Sequence, residues 1–471
     1  MKGLPLLDRT VFHRYAGLSL PRHVAYPMPS WWKALSPADA KAIRDRAMVS
    51  PITRDLSLYL HIPFCEALCK FCACNRVIVR KGAVNAGNRV ERFLNSIEAE
   101  IDRRSKECQG RLVRQIHWGG GTPTYLECDE IERLHRAVST RFEIAPDAEV
   151  SIEIDPRVTS REQMQLLASL GFNRVSLGVQ DFDPHVQEHV RRVQPFEMVQ
   201  ECVAQAREAG FQSINFDLIY GLPFQTRESV RDTVDRTVEL SPDRIAFYHY
   251  AQIPEKIANH RAIDHTALPD SNTKLDMFLE ARDRLAGASY DFIGLDHFTK
   301  PDELLARARR EGTLNRNFQG MTTGADLDLI GFGPSAISVI PVQAYWQNEH
   351  EPEEYANALA QGESATRGME LSREDAIRQW LLLRLYCDAS VKADQVKSVW
   401  GIDFTSHFAS ELARLATLEK DGLVRLSSDG SVELTDPLGR VLMRNVAAVF
   451  DTYLDADAYQ SGQAQAFSRN A

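Results

Sequence analysis

The stretch LSLYLHIPFCEALCKFCACN, residues 56–75, joins a β-strand pattern directly to four closely spaced cysteines. Its first seven residues are mostly apolar and β-forming, so they predict a buried strand. Cys65, Cys69 and Cys72 follow at the spacing C-x3-C-x2-C, and Cys74 comes two residues later. A loop after a strand can wrap three such thiolates around one inorganic cluster. This stretch therefore predicts a strand that ends at a metal or redox centre.

Cysteine usage elsewhere agrees with a reducing compartment. The chain has 471 residues and eight cysteines, and the four outside the quoted stretch are scattered along it. A disulfide framework is not indicated, and we expect these four to be ordinary buried side chains. They are Cys108, Cys128, Cys202 and Cys387.

Charge and hydropathy exclude several classes of protein. The net charge is −10, from 65 acidic and 55 basic residues, which argues against a broad nucleic-acid or anionic-membrane surface. No run approaches the roughly 20 apolar residues that span a bilayer, and the start, MKGLPLLDRTVFHRY, lacks the apolar core of a secretory signal. We expect a cytoplasmic protein with no membrane or nucleic-acid partner.

Short runs of β-forming residues recur as far as about residue 296. After residues 56–62 they are VRQIHW (113–118), EVSIEID (149–155), RVSLGV (174–179), SINFDLIY (213–220), RIAFYHY (244–250) and YDFIGLD (290–296). Helical patterns lie between most of them, with clear apolar faces in residues 88–107 and 226–240. This alternation predicts an α/β protein with a parallel sheet, in the form of a partial or full (β/α) barrel.

Polar and glycine-rich segments follow the ends of these runs. The cysteines follow the first, GGGTPT (119–124) the second, and Pro-Arg, Gln-Asp-Phe and Gly-Leu-Pro the next three. The carboxyl ends of parallel strands share one edge of the sheet, and that edge carries the active site in barrel enzymes. We therefore expect the site there.

Composition shifts divide the chain into three parts. Residues 1–50 are rich in proline and aromatic residues and predict an N-terminal arm that packs on the core. Residues 51–367 hold the barrel domain. Residues 368–471 begin with helical patterns and continue with LVRLSSDGSVELT, which predicts a hairpin, so we expect a small helical, winged C-terminal domain.

Three thiolates on a four-iron cluster leave one iron with an open site. Iron–sulfur proteins that only transfer electrons usually fill all four positions with cysteine. An open iron can instead chelate the amino and carboxylate groups of S-adenosylmethionine, whose reductive cleavage yields a 5′-deoxyadenosyl radical. A zinc site is the alternative, but no second cysteine or histidine pair follows at ribbon spacing.

The motifs together are similar to those of the oxygen-independent coproporphyrinogen III oxidase family. The residues that carry the resemblance are the quoted stretch, QIHWGGGTPTYL (115–126), SIEIDPR (151–157), GFNRVSLGVQDF (171–182), FDLIYGLPFQT (216–226), FIGLDHF (292–298), NFQGMTTGADLDLIGFGPSAIS (317–338), LMRNVAAVFDTYL (442–454) and FSR (467–469). The resemblance implies a radical enzyme that oxidatively decarboxylates two propionates of coproporphyrinogen III, giving protoporphyrinogen IX for haem synthesis without oxygen.

The resemblance also implies roles for individual residues. Cys65, Cys69 and Cys72 would hold a [4Fe–4S] cluster, and Cys74 would act in catalysis outside it. The residues implied at the S-adenosylmethionine bound to the cluster are Tyr59, Gly120, Glu153 and Ile337. Those implied at a second S-adenosylmethionine, or in a pocket shared with substrate, are Phe71, Gly121, Thr122, Gln180, Arg192, Asp217 and Ala251.

The implied partners are few. They are a tetrapyrrole substrate and a reduced electron donor such as flavodoxin or ferredoxin, and the implied enzyme is a monomer. Because four propionates must bind to a protein of net negative charge, a few local cations are needed, and we expect Arg22 and Arg192 to supply them. His61, in the HIPFC segment, is either a site residue or a histidine that packs the loop.

The sequence departs from the family pattern at four places. PRYTSYP is replaced by PRHVAYP, so His23, Val24 and Ala25 stand where hydroxyl-bearing side chains are usual. Ala73 replaces a glycine, Met321 a tyrosine, and Pro334 a valine. We expect these positions to face the substrate or the second S-adenosylmethionine.

Two other functions remain open on the sequence alone. One is a related radical enzyme that acts on another tetrapyrrole or a different substrate. The other is a haem chaperone, which shares the barrel but generally lacks Cys74 and the long C-terminal domain. The presence of both features favours the oxidase.

Overall fold

The computed structural model describes residues 8–18, 20–49 and 54–454. Its α-helices are α1 (Arg9–Ala16), α2 (Pro37–Met48), α3 (Ala86–Glu107), α4 (Cys128–Ser139), α5 (Arg161–Ser169), α6 (Pro184–His189), α7 (Phe196–Ala209), α8 (Arg227–Leu240), α9 (Ser271–Gly287), α10 (Leu304–Glu311), α11 (Pro352–Ala360), α12 (Arg373–Asp388), α13 (Ala393–Trp400), α14 (Phe404–His407), α15 (Ala409–Lys420), α16 (Leu438–Val441) and α17 (Met443–Val449).

Within the described residues, the strands form one large sheet and three small ones. They are β1 (Lys33–Ala34), β2 (Leu56–Ile62), β3 (Phe64–Cys65), β4 (Val77–Ile78), β5 (Leu112–Gly120), β6 (Glu143–Ile154), β7 (Arg174–Gln180), β8 (Ser213–Tyr220), β9 (Arg244–His249), β10 (Asp291–Gly294), β11 (His297–Thr299), β12 (Asn315–Asn317), β13 (Gly320–Thr322), β14 (Asp328–Phe332), β15 (Ile337–Ile340), β16 (Ala344–Asn348), β17 (Ala365–Glu370), β18 (Ser390–Val391), β19 (Val424–Leu426) and β20 (Val432–Leu434).

The large sheet has 13 strands in the order β1-β17-β16-β15-β14-β2-β5-β6-β7-β8-β9-β11-β10. The central run from β14 to β9 is parallel throughout, and the strands on both flanks are antiparallel. The two outer strands of the parallel run, β14 and β9, do not pair with each other. The predicted α/β architecture is therefore confirmed in its partial-barrel form.

Local sequence accounts for the helices that cover the sheet. In α3 the side chains of Val90, Phe93, Leu94, Ile97 and Ile101 are all buried, because they recur at helical spacing and meet the outer face of the sheet. Several other helices begin at a side-chain cap, since a hydroxyl or carboxylate can accept from the free amides of the first turn. These caps include the serines before α2, α5 and α12.

Two strands differ from the sequence-based prediction. Residues 290–296 were grouped with the parallel strands, but β10 pairs antiparallel with β11, because the chain turns back at Gly294 after only four strand residues. The seventh strand of the parallel run is instead β14, which pairs parallel with β2.

A second hydrophobic core joins the two ends of the chain. Phe12, Tyr15 and Tyr26 of the arm pack with the helices after residue 372 and with the three-stranded sheet β18-β20-β19. The arm also extends the large sheet, since β1 pairs with β17. The proposed boundary at residue 367 falls within β17, and the division into three domains stays a prediction.

Within the described residues, no helix combines the length and the apolar character that crossing a membrane requires.

Candidate active site

The carboxyl ends of the parallel strands open onto one cavity of about 1180 Å³. It brings together the three predicted cluster cysteines, Cys74 and ten of the eleven residues predicted to bind S-adenosylmethionine. Those ten are Tyr59, Phe71, Gly120, Gly121, Thr122, Glu153, Gln180, Arg192, Asp217 and Ile337. Ala251 is half-buried in the segment after β9 and is not among the residues that line the cavity.

Cationic side chains surround the buried Cys69. The Arg192 guanidinium stands 3.6 Å from its sulfur and that of Arg157 3.8 Å away. Asp155 fixes both cations, at 3.0 Å from Arg192 and 2.6 Å from Arg157. Two guanidinium groups thus lie beside one of the sulfurs that are predicted to bind iron.

A short turn of 3₁₀ helix, residues 258–262, holds the backbone of the cysteine loop. The Asn259 amide donates to the carbonyls of Cys69, Lys70 and Cys72 at 3.2, 2.9 and 2.9 Å. Nε2 of His260 donates to the Phe71 carbonyl at 2.9 Å. A segment nearly 200 residues away in sequence therefore sets the shape of the loop.

The thiols of Cys72 and Cys74 interact with each other. A hydrogen bond from Cys74, together with the positive charge of Arg76, lowers the pKa of Cys72 to about 6 against the opposing effect of burial. The same hydrogen bond and the charge of Cys72 raise the pKa of Cys74 well above its ordinary value. Cys65 differs, since burial raises its pKa to about 11 and a contact from Thr122 Oγ1 at 3.4 Å opposes this. Cys74 itself is exposed to the cavity.

The glycine run at the end of β5, residues 119–121, allows close approach of backbone segments. A Cβ on Gly121 would lie 2.7 Å from the Phe64 carbonyl oxygen, so only glycine fits there. The amides of Gly121 and Thr122 donate to the carbonyls of Ile62 and Phe64, each at 2.8 Å. The run is thereby bound to the start of the cysteine loop.

Glu153, on β6, presents a carboxylate to the centre of the cavity. It accepts from His117 Nε2 and from the Gly120 amide, both at 3.2 Å. Enclosure by protein acts to raise its pKa, but the His117 and Gly120 contacts outweigh this and the pKa is lowered. The carboxylate is therefore ionised and available to a cationic or hydroxyl-bearing ligand.

His61 has a structural role in the cavity wall. Its Nε2 donates to the Asn75 carbonyl at 2.9 Å, and its Nδ1 accepts from the Tyr59 hydroxyl at 3.0 Å. Burial lowers the pKa of His61 to about 4, so the ring is neutral, as these two contacts require. His61 therefore packs the loop and orients Tyr59, and because it also lines the cavity, its role as a site residue stays a prediction.

Three further predicted residues lie on β7, on β8 and after α6. Gln180 adopts a positive φ of 70° at a register shift in β7, a strained position of the kind that occurs beside functional sites. Asp217 accepts from Ser176 and Asn215, each at 3.0 Å, and burial with the nearby Glu153 raises its pKa to about 6. Arg192 also donates to the Gly178 carbonyl.

The donor chemistry of the cavity fits an iron–sulfur cluster. The three sulfurs line one space and are not in disulfides, and Cys69 and Cys72 have arginine side chains nearby. No three His, Cys, Asp or Glu side chains among the described residues converge where a single metal ion could sit. A four-iron cube needs more room than one ion, since each thiolate binds a different iron.

Some expectations about substrate-facing residues are wrong. Arg22 does not line the large cavity but donates to the His249 carbonyl at 2.8 Å beside a second cavity. His23 is buried between Tyr386 and Asp451, because its two ring nitrogens each find a partner at 2.9 Å. Pro334 is buried and also does not line the cavity.

The remaining departures have mixed positions. Ala73 and Met321 line the large cavity. Val24 and Ala25 line a third cavity of about 70 Å³, which shares Asn317 and Phe318 with the large one. The FSR tail at 467–469 lies outside the described residues.

The prediction missed several residues that shape the site. Asp155 and Arg157 directly follow β6 at the edge of the sheet where the site was expected, so their position in the sequence could have predicted that they line the cavity. His117 alternates with apolar residues on β5 and also points to the cavity. Asn259 and His260 carry no local motif, and only the folded chain places them against the cysteine loop.

Comparisons with known proteins agree with this geometry. Residues 59–237 match the radical SAM superfamily. The chain is 41% identical over 462 residues to the oxygen-independent coproporphyrinogen III oxidase of Salmonella typhimurium, covering 97% of this chain and 96% of that protein. It is 44% identical over 417 residues to the enzyme of that name from Escherichia coli, covering 88% and 89%.

A solved structure matches over almost the whole fold. It is described as coproporphyrinogen III oxidase from Escherichia coli, a radical SAM enzyme, and it superposes with a TM-score of 0.88 at 40% identity. The match covers 96% of this chain and 100% of that one. The partial barrel and its cysteine loop thus define a radical SAM enzyme, with a [4Fe–4S] cluster and S-adenosylmethionine as its cofactors. Within that class, the chain belongs to the oxygen-independent coproporphyrinogen III oxidase family.

Proposed function

We propose that this protein converts coproporphyrinogen III to protoporphyrinogen IX without oxygen, by oxidative decarboxylation of two propionate side chains to vinyl groups. The observation that carries the proposal is 41% identity over nearly the full length of an enzyme with that name. A cavity of about 1180 Å³ is also large enough for a tetrapyrrole beside a nucleoside cofactor, since ligand sites usually measure about 300–1,000 Å³.

The cofactors supply the radical that begins the reaction. When bound, the cluster and S-adenosylmethionine provide a 5′-deoxyadenosyl radical able to take a hydrogen atom from an unactivated carbon. Such a radical suits this substrate, because the C–H bond beside the carboxylate-bearing carbon offers no acidic proton to a base. Loss of carbon dioxide, with transfer of one further electron to an external one-electron acceptor, then leaves each vinyl group.

The protein residues bind and orient the reactants. Cys65, Cys69 and Cys72 hold the cluster, and the ionised carboxylate of Glu153 accepts from the ammonium or ribose hydroxyls of S-adenosylmethionine. Tyr59, Gly120 and Ile337 complete this first site. Ionisation of Glu153 supports the assignment, since only the charged form pairs with an ammonium group.

The second group of residues lines the same cavity as the first. Phe71, Gly121, Thr122, Gln180, Arg192 and Asp217 contact a second S-adenosylmethionine or the substrate, and Cys74 acts from its exposed position without binding the cluster. Arg192 already pairs with Asp155 and a carbonyl, so we expect it to orient Cys69 as well as to meet a ligand carboxylate.

Ala251, in the segment after β9, is assigned to the second site by the resemblance alone. We further propose that the enzyme acts as a cytoplasmic monomer and takes electrons from a reduced donor such as flavodoxin or ferredoxin.

The test is a product assay under anaerobic conditions. Reduced protein, S-adenosylmethionine and coproporphyrinogen III are incubated, and the tetrapyrroles are identified by mass spectrometry. We expect a product that has lost two carboxyl groups. Cleavage of S-adenosylmethionine with coproporphyrinogen III unchanged would indicate a different substrate, and haem binding without any cleavage would indicate a chaperone.

A further inference from the structure

The segment directly after β6 places a charged pair beside the cysteine loop. Its sequence is Asp155-Pro156-Arg157. The Arg157 amide donates to the Asp155 carboxylate at 3.0 Å, which closes a short turn of a kind that aspartate favours. The same turn brings the Arg157 guanidinium onto that carboxylate, with Nε at 2.9 Å and Nη2 at 2.6 Å. The local sequence therefore fixes the position of this arginine.

From this position Arg157 reaches a sulfur that holds the cluster. Its Nη2 lies 3.8 Å from the Sγ of Cys69, which is buried. The side chains of Asp155 and Arg157 keep 8% and 19% of their surface exposed. Charges interact more strongly where water is excluded than in solution, and salt screens them less. The charge of Arg157 therefore acts on Cys69 and on the cluster that Cys69 binds.

The charges of this group leave a positive excess beside Cys69. Asp155 pairs with Arg157 at 2.6 Å and with Arg192 at 3.0 Å, and no other carboxylate among the described residues forms an ion pair with either arginine. Burial acts to raise the pKa of Asp155, but the charge of Arg192 and the hydrogen bond from Arg157 outweigh this and lower it. One ionised carboxylate thus serves two guanidinium groups.

The contacts of Arg157 differ from those of Arg192. Arg192 also donates to the Gly178 carbonyl at 2.6 Å, and it is proposed above to meet a ligand carboxylate. The side-chain hydrogen bonds of Arg157, within the part of the chain that the structure describes, go to Asp155 and Cys69 alone. A substitution at Arg157 therefore changes the charge beside Cys69 without removing a proposed ligand contact.

We propose that Arg157 is a positioning residue that acts through Cys69 and makes the cluster easier to reduce. Reduction transfers one electron from an external donor to the cluster, from [4Fe–4S]²⁺ to [4Fe–4S]⁺, and no bond forms or breaks. The electron adds negative charge, so a fixed cation near a ligand sulfur stabilises the reduced form more than the oxidised form. The proposal depends on the cluster and not on the identity of the substrate.

A redox titration of the full-length holoenzyme tests the proposal. Dithionite is added in steps under anaerobic conditions without S-adenosylmethionine, and electron paramagnetic resonance follows the reduced cluster. We expect a more negative midpoint potential in Arg157→Gln than in the wild type, and an intermediate value in Arg157→Lys, which keeps the charge. Arg161→Gln removes an exposed cation on α5 that pairs with Glu208, and its potential should equal that of the wild type. An unchanged potential in Arg157→Gln would overturn the proposal.

A variant of opposite charge separates electrostatics from general disruption of the loop. Asp155→Asn removes the negative member of the group, so its midpoint potential should be less negative than that of the wild type. If Arg157→Gln does not retain its cluster, the sign of the shift in Asp155→Asn decides. Shifts in the same direction in both variants would reflect a disturbed loop and contradict the proposal. A raised KM for S-adenosylmethionine in Arg157→Gln at an unchanged potential would make Arg157 a ligand-binding residue and also overturn it.

Discussion

Glu153 owes its charge to two neighbours on β5. His117 donates to it through Nε2, and the Gly120 amide donates from the end of the strand. A carboxylate without such donors in an enclosed site would take up a proton more readily. The two donors therefore keep Glu153 ionised, as its proposed contact with an ammonium group requires.

Glu153→Gln should raise the KM for S-adenosylmethionine about tenfold while the iron content stays at the wild-type value. The substitution keeps the size of the side chain and removes its charge, and a charge-assisted hydrogen bond contributes about 1.5–3 kcal/mol. Steady-state kinetics at limiting S-adenosylmethionine measures the effect. Glu132→Gln, on the exposed face of α4, serves as the control. A wild-type KM in Glu153→Gln would remove Glu153 from the binding site.

Sequence identified residues whose chemistry is visible in a local pattern. The cysteines follow β2, the glycine run lies at the end of β5, and Glu153 lies near the end of β6, so strand topology assembles them at one edge of the sheet. Arg22 was misassigned because a cation near a motif was expected to face the substrate, whereas it faces a separate cavity. Asn259 was missed because an asparagine in a loop has no signature until its partners are known.

The 3₁₀ turn at residues 258–262 connects two segments and also binds the cysteine loop. The Asn259 amide donates hydrogen bonds to three carbonyls of the cysteine loop. Arg76 in turn donates to the Asn259 side-chain oxygen at 2.7 Å. This contact network orients the loop from outside the sheet. We therefore expect the turn to matter for how firmly the cluster is retained.

Asn259→Ala should lower the iron content per chain after gel filtration and speed iron loss to a chelator. The loop would lose its hydrogen bonds to the turn, while no cysteine is altered. Iron release is followed by absorbance with the protein under anaerobic conditions. Asn357→Ala, an exposed position on α11, should release iron at the wild-type rate. Equal rates in both variants would show that the turn does not hold the loop.

Strand patterns predicted six of the seven parallel strands. The strand β14 was not predicted, because its sequence DLIGF has only five residues and lies far along the chain from β2. Its pairing with β2 depends on tertiary packing. Residues 290–296 were wrongly predicted to be a parallel strand for a similar reason. A single apolar run does not indicate whether a strand pairs parallel or antiparallel.

At the scale of the whole molecule, a buried polar group connects the arm to the C-terminal segment. His23 lies between the Tyr386 hydroxyl and the Asp451 carboxylate, and all three side chains are buried. Arg14 and Tyr15 of the arm add contacts to Asp421. The arm is thus fastened to the far end of the chain, while its strand β1 extends the large sheet.

His23→Leu should destabilise the protein by about 1–3 kcal/mol, the usual cost of leaving a buried polar group without its hydrogen-bond partner. Asp451 and Tyr386 would each lose a partner in a space closed to solvent. Urea unfolding followed by circular dichroism measures the change. Lys41→Ala removes an exposed pair with Asp45 and should cost under about 1 kcal/mol. A loss of similar size in both variants would contradict the structural role of His23.

The iron content of protein purified without oxygen tests most directly whether three cysteines hold a four-iron cluster with one open iron. We predict about four irons per chain in the wild type and an electron paramagnetic resonance signal of the reduced cluster that changes when S-adenosylmethionine is added, as an open iron site requires. Cys65→Ala, Cys69→Ala and Cys72→Ala should each lose the cluster, whereas Cys74→Ser should keep its iron and lose most turnover. Loss of iron in Cys74→Ser, with a signal indifferent to S-adenosylmethionine in the wild type, would mean four cysteine ligands and no open site, and would contradict the account.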